Sequence, residues 1–184
     1  MTHTALLIID LQNDYFSEGK WPLSGPEAAA EQAAKLLAAF RNNGFPIVHV
    51  RHEFLTADAP FFSEGSEGAR IHHLVTPLEN ETVILKHKPN SFRDTELQEV
   101  LKKLKVDNLI VVGAMSHMCI DAGVRAAVDL GFEVSVAHDA CATRDLEFNG
   151  TTVPADHVHA AFMAALSSSY ANVDSTEKLL NDLY

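Results

Sequence analysis

The chain has 184 residues, 47% of them hydrophobic and 21% charged, which suits a single domain with room for a sizeable core, assigned here to residues 1–184. A formal charge of −11, with lysines and arginines scattered rather than clustered, works against binding to phosphate backbones and excludes nucleic acid as an expected partner. No apolar run is long enough to cross a bilayer, and the start "MTHTALLIID" lacks the basic segment and cleavage site of a signal peptide, so the expected location is cytoplasmic, with no membrane partner and no structural disulfide between the two cysteines.

In chain order, "TALLIID" reads as a buried strand. It leads to "PEAAAEQAAKLLAAFRNNG", with proline near its start and glycine just past its end, the punctuation of a helix. "FPIVHV" is the second strand, followed by a long polar and aromatic loop containing "FFSEGSEG". "TVILKH" leads into the helix "DTELQEVLKKLK", and "LIVVGA" into a helix over "IDAGVRAAVDLGF" that stops at Gly131. "EVSVAHD" precedes a loop and the helix "PADHVHAAFMAALSSSY", and a short run near "ANVDS" supplies a sixth strand before a C-terminal helix. Such alternation implies right-handed βαβ units. The expected fold is α/β: a single-domain three-layer α/β/α sandwich with a mainly parallel sheet of five or six strands.

In an open sheet of this kind ligands bind outside the carboxyl ends of the strands, where the strand order reverses. Those ends carry Asp10 after "ALLII", Lys86 after "TVIL" and Cys119 just beyond "LIVVGA". One reading pairs Asp10 with Lys86 as a structural salt bridge and leaves Cys119 as packing. The other makes the three a unit: a thiol nucleophile, a carboxylate that accepts its proton, and an ammonium that orients the carboxylate and favours the anionic sulfur. Because Cys119 lies near a helix N-terminus, its thiol pKa is expected to fall.

The segments "LLIIDLQNDYF", "LKHKPNSFRDTEL", "LIVVGAMSHMCIDAGVRAAVDLGFEVSVAHDACATRD" and "HVHAAFMAAL" resemble the isochorismatase-like cysteine hydrolase superfamily, which includes nicotinamidases and N-carbamoylsarcosine amidohydrolases. The resemblance covers nearly the whole chain. It implies a catalytic triad of Asp10, Lys86 and Cys119, no cofactor, a small-molecule substrate, and assembly as a homodimer or homotetramer. "LKHKPNSF" also offers Lys88, but counting back from Thr95 favours Lys86. The resemblance further implies a cis peptide between Ala114 and Met115. A turn of that kind aims the backbone N–H groups of Met115, Ser116 and Cys119 at an oxyanion. The function expected is hydrolysis of a small carboxamide or related C–N bond; the alternatives are a vinyl ether hydrolase of the isochorismatase type, or a non-catalytic binding protein on the same fold.

Other readings are weaker. The aspartate ending the first strand also opens a phosphoryl-transfer signature, but Gln12 stands where a second acid belongs. "GAMSHMCIDAG" lacks the glycine spacing of a dinucleotide loop. No metal is expected: His49 and His52 are three apart on a strand and His72 and His73 adjacent, so both pairs point to opposite faces. Nicotinamidases carry an Asp-x-His where this chain has Val50, Arg51 and His52, which puts nicotinamide in doubt as a substrate. Cys141 is expected to pack, and Arg144 to pair with Asp145. Phe16, Trp21 and Phe92, in loops after strands, are candidate pocket walls, and His52 and His117 candidate hydrogen-bonding groups for substrate. The loop "APFFSEG" is expected to be exposed on a monomer and covered by a neighbouring subunit.

Overall fold

The structure, a computed structural model, describes residues 3–56 and 58–183. The apolar runs become strands β1 (Thr4–Ile9), β2 (Ile47–His52), β3 (Thr82–Lys86), β4 (Asn108–Ala114) and β5 (Glu133–Ala142). A short hairpin of β6 (Leu146–Phe148) and β7 (Thr151–Val153) follows, and the run near "ANVDS" is β8 (Asn172–Asp174). Six strands form one parallel sheet in the order β3-β2-β1-β4-β5-β8. The central strands read as unbroken apolar runs because both of their faces are covered.

The helices are α1 (Pro26–Asn43), α2 (Leu97–Lys103), α3 (Asp121–Asp129), α4 (Ala155–Ser169) and α5 (Thr176–Asp182). One face of the sheet packs Leu6 and Ile8 against Leu36, Leu37 and Phe40 of α1 and Leu179 of α5. The other packs Leu7, Ile9 and Val111 against Leu101 of α2, Val124 of α3 and Met163 of α4. These are the three layers expected. β1 and β4 approach closely at Gly113, where φ is 131° and a Cβ would lie 1.9 Å from the carbonyl oxygen of Ile9, so a side chain there would force the two strands apart. Among the described residues no helix is long and apolar enough to cross a membrane.

Two expectations change. The hairpin β6–β7 was not expected; its Asn149–Gly150 turn is the signal in the sequence, but strands of three residues fall below a visible alternation. The loop "APFFSEG" is not bare: Phe62 is fully buried, and Phe61 packs on Tyr15, Trp21 and Phe54. The chain covers this loop itself, so its aromatic content is no argument for a neighbouring subunit.

A buried polar cluster closes the base of the β2–β3 pair. Glu81 accepts from Arg41 Nε and Nη2 at 2.7 and 2.8 Å, from the Leu78 amide at 2.9 Å, and meets His49 Nε2 at 3.0 Å. Burial opposes the Glu81 charge, but Arg41 and the other donors hold its pKa down to about 2, while burial also lowers that of His49. A depressed carboxylate contributes stability above its unfolded value near 4.5 that is lost as pH falls towards 2. His49, kept neutral inside, adds a loss that begins as pH drops below 6.5. Urea unfolding from pH 7 to pH 2 is expected to show the gap between wild type and Glu81→Gln narrowing below pH 4.5; a constant gap would remove Glu81 as the cause.

Candidate active site

The strand order reverses between β1 and β4, and the chemistry-bearing residues gather outside their carboxyl ends. Asp10 follows β1 with φ 54°, its amide bonded to Val50 O at 2.9 Å. Lys86 is the last residue of β3. Cys119 lies in a π-helical turn, Ser116–Ile120, that joins β4 to α3 after a cis peptide between Ala114 and Met115. Lys86 Nζ stands 2.7 Å from Asp10 Oδ2 and 3.3 Å from Cys119 Sγ. Asp10 and Lys86 are fully buried and Cys119 is 5% exposed. Lys88, by contrast, is exposed.

Asp10 and Lys86 form a buried ion pair, and Lys86 and the Cys119 thiol are the side chains that bond the Asp10 carboxylate. A carboxylate beside a thiol is placed to take its proton. Burial raises the Asp10 pKa against the lowering effect of Lys86. Burial works to lower that of Lys86, but the charge of Asp10 leads the effects that outweigh it and keep the ammonium protonated. The expected fall in the Cys119 pKa is reversed: burial, then the negative charge of Asp10, push it up, and Lys86 only partly offsets them. A helix N-terminus contributes a fraction of a charge, too little against full desolvation. The surroundings of the sulfur therefore favour the thiol over the thiolate. Cys141 is also buried and free, its pKa raised to about 12 by burial.

In the turn, Met118 N and Ile120 N both donate to Met115 O, at 2.9 and 3.2 Å. The amides of Ser116 and Cys119 lie in the first turn of this π-helix, where backbone N–H groups precede the helix's own acceptors. The Ser116 hydroxyl meets His159 Nδ1 at 2.8 Å and Ala142 O at 3.3 Å, tying the turn to α4 and β5.

The loops around this centre hang on two polar residues given no structural role from the sequence, Gln12 and Asp14. Gln12 donates to His52 O and Ala69 O and accepts from His52 N, each at 2.7 Å. The buried Asp14 accepts from the amides of Phe62 at 2.7 Å and Lys20 at 3.1 Å. Gly68 is required beside it, since a Cβ there would lie 2.1 Å from Asp14 Oδ1. Their partners are up to 57 residues away, so no local pattern marks them.

The candidate binding residues separate. Trp21 lines a cavity of about 470 Å³ with Lys20 and Arg144, and the Arg144 guanidinium lies 4.3 Å over the Trp21 ring. Arg144 does not pair with the Asp145 carboxylate as expected; Asp145 Oδ1 instead accepts from the Ala155 amide at the start of α4. The cavity lies close to the turn that carries Cys119: Thr143, next to Arg144, bonds His117 Nδ1 of that turn at 2.6 Å, and the charges of Asp10 and Arg144 both act on the buried hydroxyl of Tyr15. Phe16 stacks on His72 at 3.5 Å and faces a different cavity, of about 760 Å³, rich in carboxylates. Phe92 is half-buried and packs over Phe132 at the edge of the core, away from the residues lining either cavity. His52 is buried behind Lys86. Among the described residues no three His, Cys, Asp or Glu side chains are grouped to hold a metal.

The same architecture recurs in known proteins. The chain is 55% identical over 177 residues to YddQ, an uncharacterised isochorismatase family protein of Bacillus subtilis, covering 96% of this chain and 98% of that one. It is 28% identical to maleamate amidohydrolase of Pseudomonas putida, over 97% of this chain and 86% of that one. A crystal structure described as an isochorismatase hydrolase from Oleispira antarctica superposes with a TM-score of 0.95 at 63% identity, covering 98% of this chain and 97% of that one. The family model for the isochorismatase domain matches residues 4–178, and with a parallel sheet whose switch point holds Asp10 and Cys119, this chain belongs to the isochorismatase family of hydrolases.

Proposed function

We propose that the protein hydrolyses the C–N bond of a small carboxamide through a covalent thioester on Cys119. The observation that carries this reading is the buried contact of one ammonium with both a carboxylate and a thiol, Lys86 Nζ with Asp10 Oδ2 and Cys119 Sγ. As the sulfur attacks the carbonyl carbon, its proton passes to Asp10. The carbonyl oxygen becomes an oxyanion, held by the backbone amides of the Met115, Ser116 and Cys119 turn. The C–N bond then breaks as Asp10 returns the proton to the leaving nitrogen. Water attacks the thioester with Asp10 as base, releasing the acid and restoring the thiol. Lys86 stays charged throughout and stabilises the ionised forms of its two partners.

Arg144 and Lys20 beside Trp21 favour an acyl group with its own carboxylate, since a planar guanidinium pairs with carboxylate in two-point fashion. Maleamate, named for one relative, has that form. The test is a panel of maleamate, its methyl ester and nicotinamide, read by ammonia release and by intact mass. Expected are an acyl adduct on the peptide holding Cys119 and a ~10-fold or larger fall in kcat/KM on esterifying the carboxylate, the worth of one charge-assisted contact. Absence of both ammonia and adduct across the panel would sink the reading.

A further inference from the structure

Four adjacent strands, in the order β3-β2-β1-β4, deliver Lys86, His52, Asp10 and Cys119 to one edge of the sheet. The parallel register sets His52 opposite Lys86, so the two side chains leave the same face as neighbours. An ammonium carries three N–H groups and no acceptor. Two of those on Lys86 face Asp10 and Cys119; the third meets His52 Nδ1 at 3.1 Å. Lys86 is fully buried, so without His52 this N–H would have neither water nor protein to satisfy it.

Because Lys86 can only donate, His52 Nδ1 must accept. The ring is then neutral with its proton on Nε2. That Nε2 is buried without an acceptor among the described residues, so the ring is oriented by its Nδ1 end even though the other end goes unsatisfied. The backbone of His52 is held on both sides by Gln12, and Phe54 packs edge-on at 4.5 Å, which leaves the ring little freedom to turn away. Burial first, then the charges of Lys86, His87 and Lys88, lower the His52 pKa to about 3, consistent with a permanently neutral ring.

We propose that His52 is a positioning residue: its Nδ1 takes the third N–H of Lys86 and thereby aims the other two at the carboxylate and the sulfur. The role of this contact in turnover rests on the covalent reading above, but the contact itself does not, and the experiment separates the two. In ¹⁵N-histidine-labelled protein, with the signal assigned by its loss in His52→Asn, His52 is expected as the Nε2–H tautomer without titration from pH 5 to pH 9. In Lys86→Met its pKa is expected to rise. A protonated Nδ1, a titration near the ordinary value of 6.5, or no response to Lys86→Met would overturn the proposal whether or not any amide is hydrolysed.

The second arm follows Cys119 by iodoacetamide alkylation. His52→Leu is expected to slow alkylation and move its midpoint to higher pH, as the ammonium loosens from the sulfur. On a carboxamide that the wild type turns over, kcat is expected to fall ~10-fold or more with KM little changed, the scale of a small misplacement. His52→Asn, whose amide oxygen replaces the Nδ1 acceptor, is expected to recover most of the loss. A purely structural role would lower the thermal midpoint without moving the alkylation profile, and an unmoved profile in a folded His52→Leu protein overturns the proposal. If that variant does not fold, the tautomer measurement on the wild type and the asparagine variant decide.

Discussion

Replacing Cys119 with alanine is expected to abolish turnover while the unfolding midpoint stays within several degrees of wild type. The substitution removes one sulfur atom that is almost fully enclosed, and the Asp10–Lys86 ion pair remains intact beneath it. The lost packing is about 1 kcal/mol, and on a chain of this size that moves the midpoint by roughly 2–4 °C. The catalytic effect is far larger, because no other nucleophile is placed to replace the thiol, and removal of a nucleophile costs on the order of 10⁶ in kcat where all three groups act as a unit. Cys119→Ser is expected to be nearly as inactive, since a hydroxyl gives up its proton to a carboxylate much less readily than a thiol. The measurement is ammonia release on the best amide of the panel, with calorimetry on the same samples. Residual activity above about one part in a hundred would exclude the thioester route, given the size of the expected loss.

Lys86→Met combines a catalytic and a structural loss. It leaves Asp10 fully buried with no cation beside it, and breaking a buried pair from one side costs about 3–5 kcal/mol. The carboxylate answers by holding its proton. Its pKa, already raised by burial, rises further once Lys86 no longer opposes the shift. A folded-state pKa above the unfolded value contributes stability that is present at low pH and lost as pH rises through it. The deficit of Lys86→Met against wild type is therefore expected to be largest near pH 8 and to shrink towards pH 4. Activity is expected to vanish, since the protonated Asp10 cannot accept the thiol proton. Lys88→Met is the matched control: that lysine is exposed, so stability should change by no more than about 0.5 kcal/mol and turnover by little. The converse pattern, with activity lost only in the Lys88 variant, would move the catalytic lysine and with it the proton route.

The parts of this site legible in the sequence share one property: their signal is local. Strands buried on both faces must be continuous apolar runs, so β1 and β4 stand out, while β2, β3 and β5 are marked by shorter or alternating runs of β-branched residues, and a charge or thiol close after any of them needs a partner or a cleft. Asp10, Lys86 and Cys119 are each found that way. The alternation of runs with capped helical segments then implies a parallel sheet with its ligand site at the carboxyl ends. Counting back from Thr95 in the segment that resembles the superfamily favours Lys86 over Lys88, and the exposure of Lys88 agrees with that preference.

What the sequence by itself determined is thus the element order, the fold class and which strand ends carry reactive groups, because helix and strand periodicity and chain order are properties of short windows. Only the tertiary structure decided how those groups affect one another. The direction of the Cys119 pKa depends on how much water the finished core excludes, which reverses the expectation drawn from its helix alone. The burial of Phe62, the stacking of Arg144 on Trp21 and the clamps at Gln12 and Asp14 join residues tens of positions apart. His52 was visible as a histidine near a strand end, but that its ring accepts from Lys86 follows from β2 lying beside β3 in a register that no window of the sequence contains. Desolvation and long-range hydrogen bonding exist only once the strands are assembled, and these two effects set the protonation states on which the proposed chemistry depends.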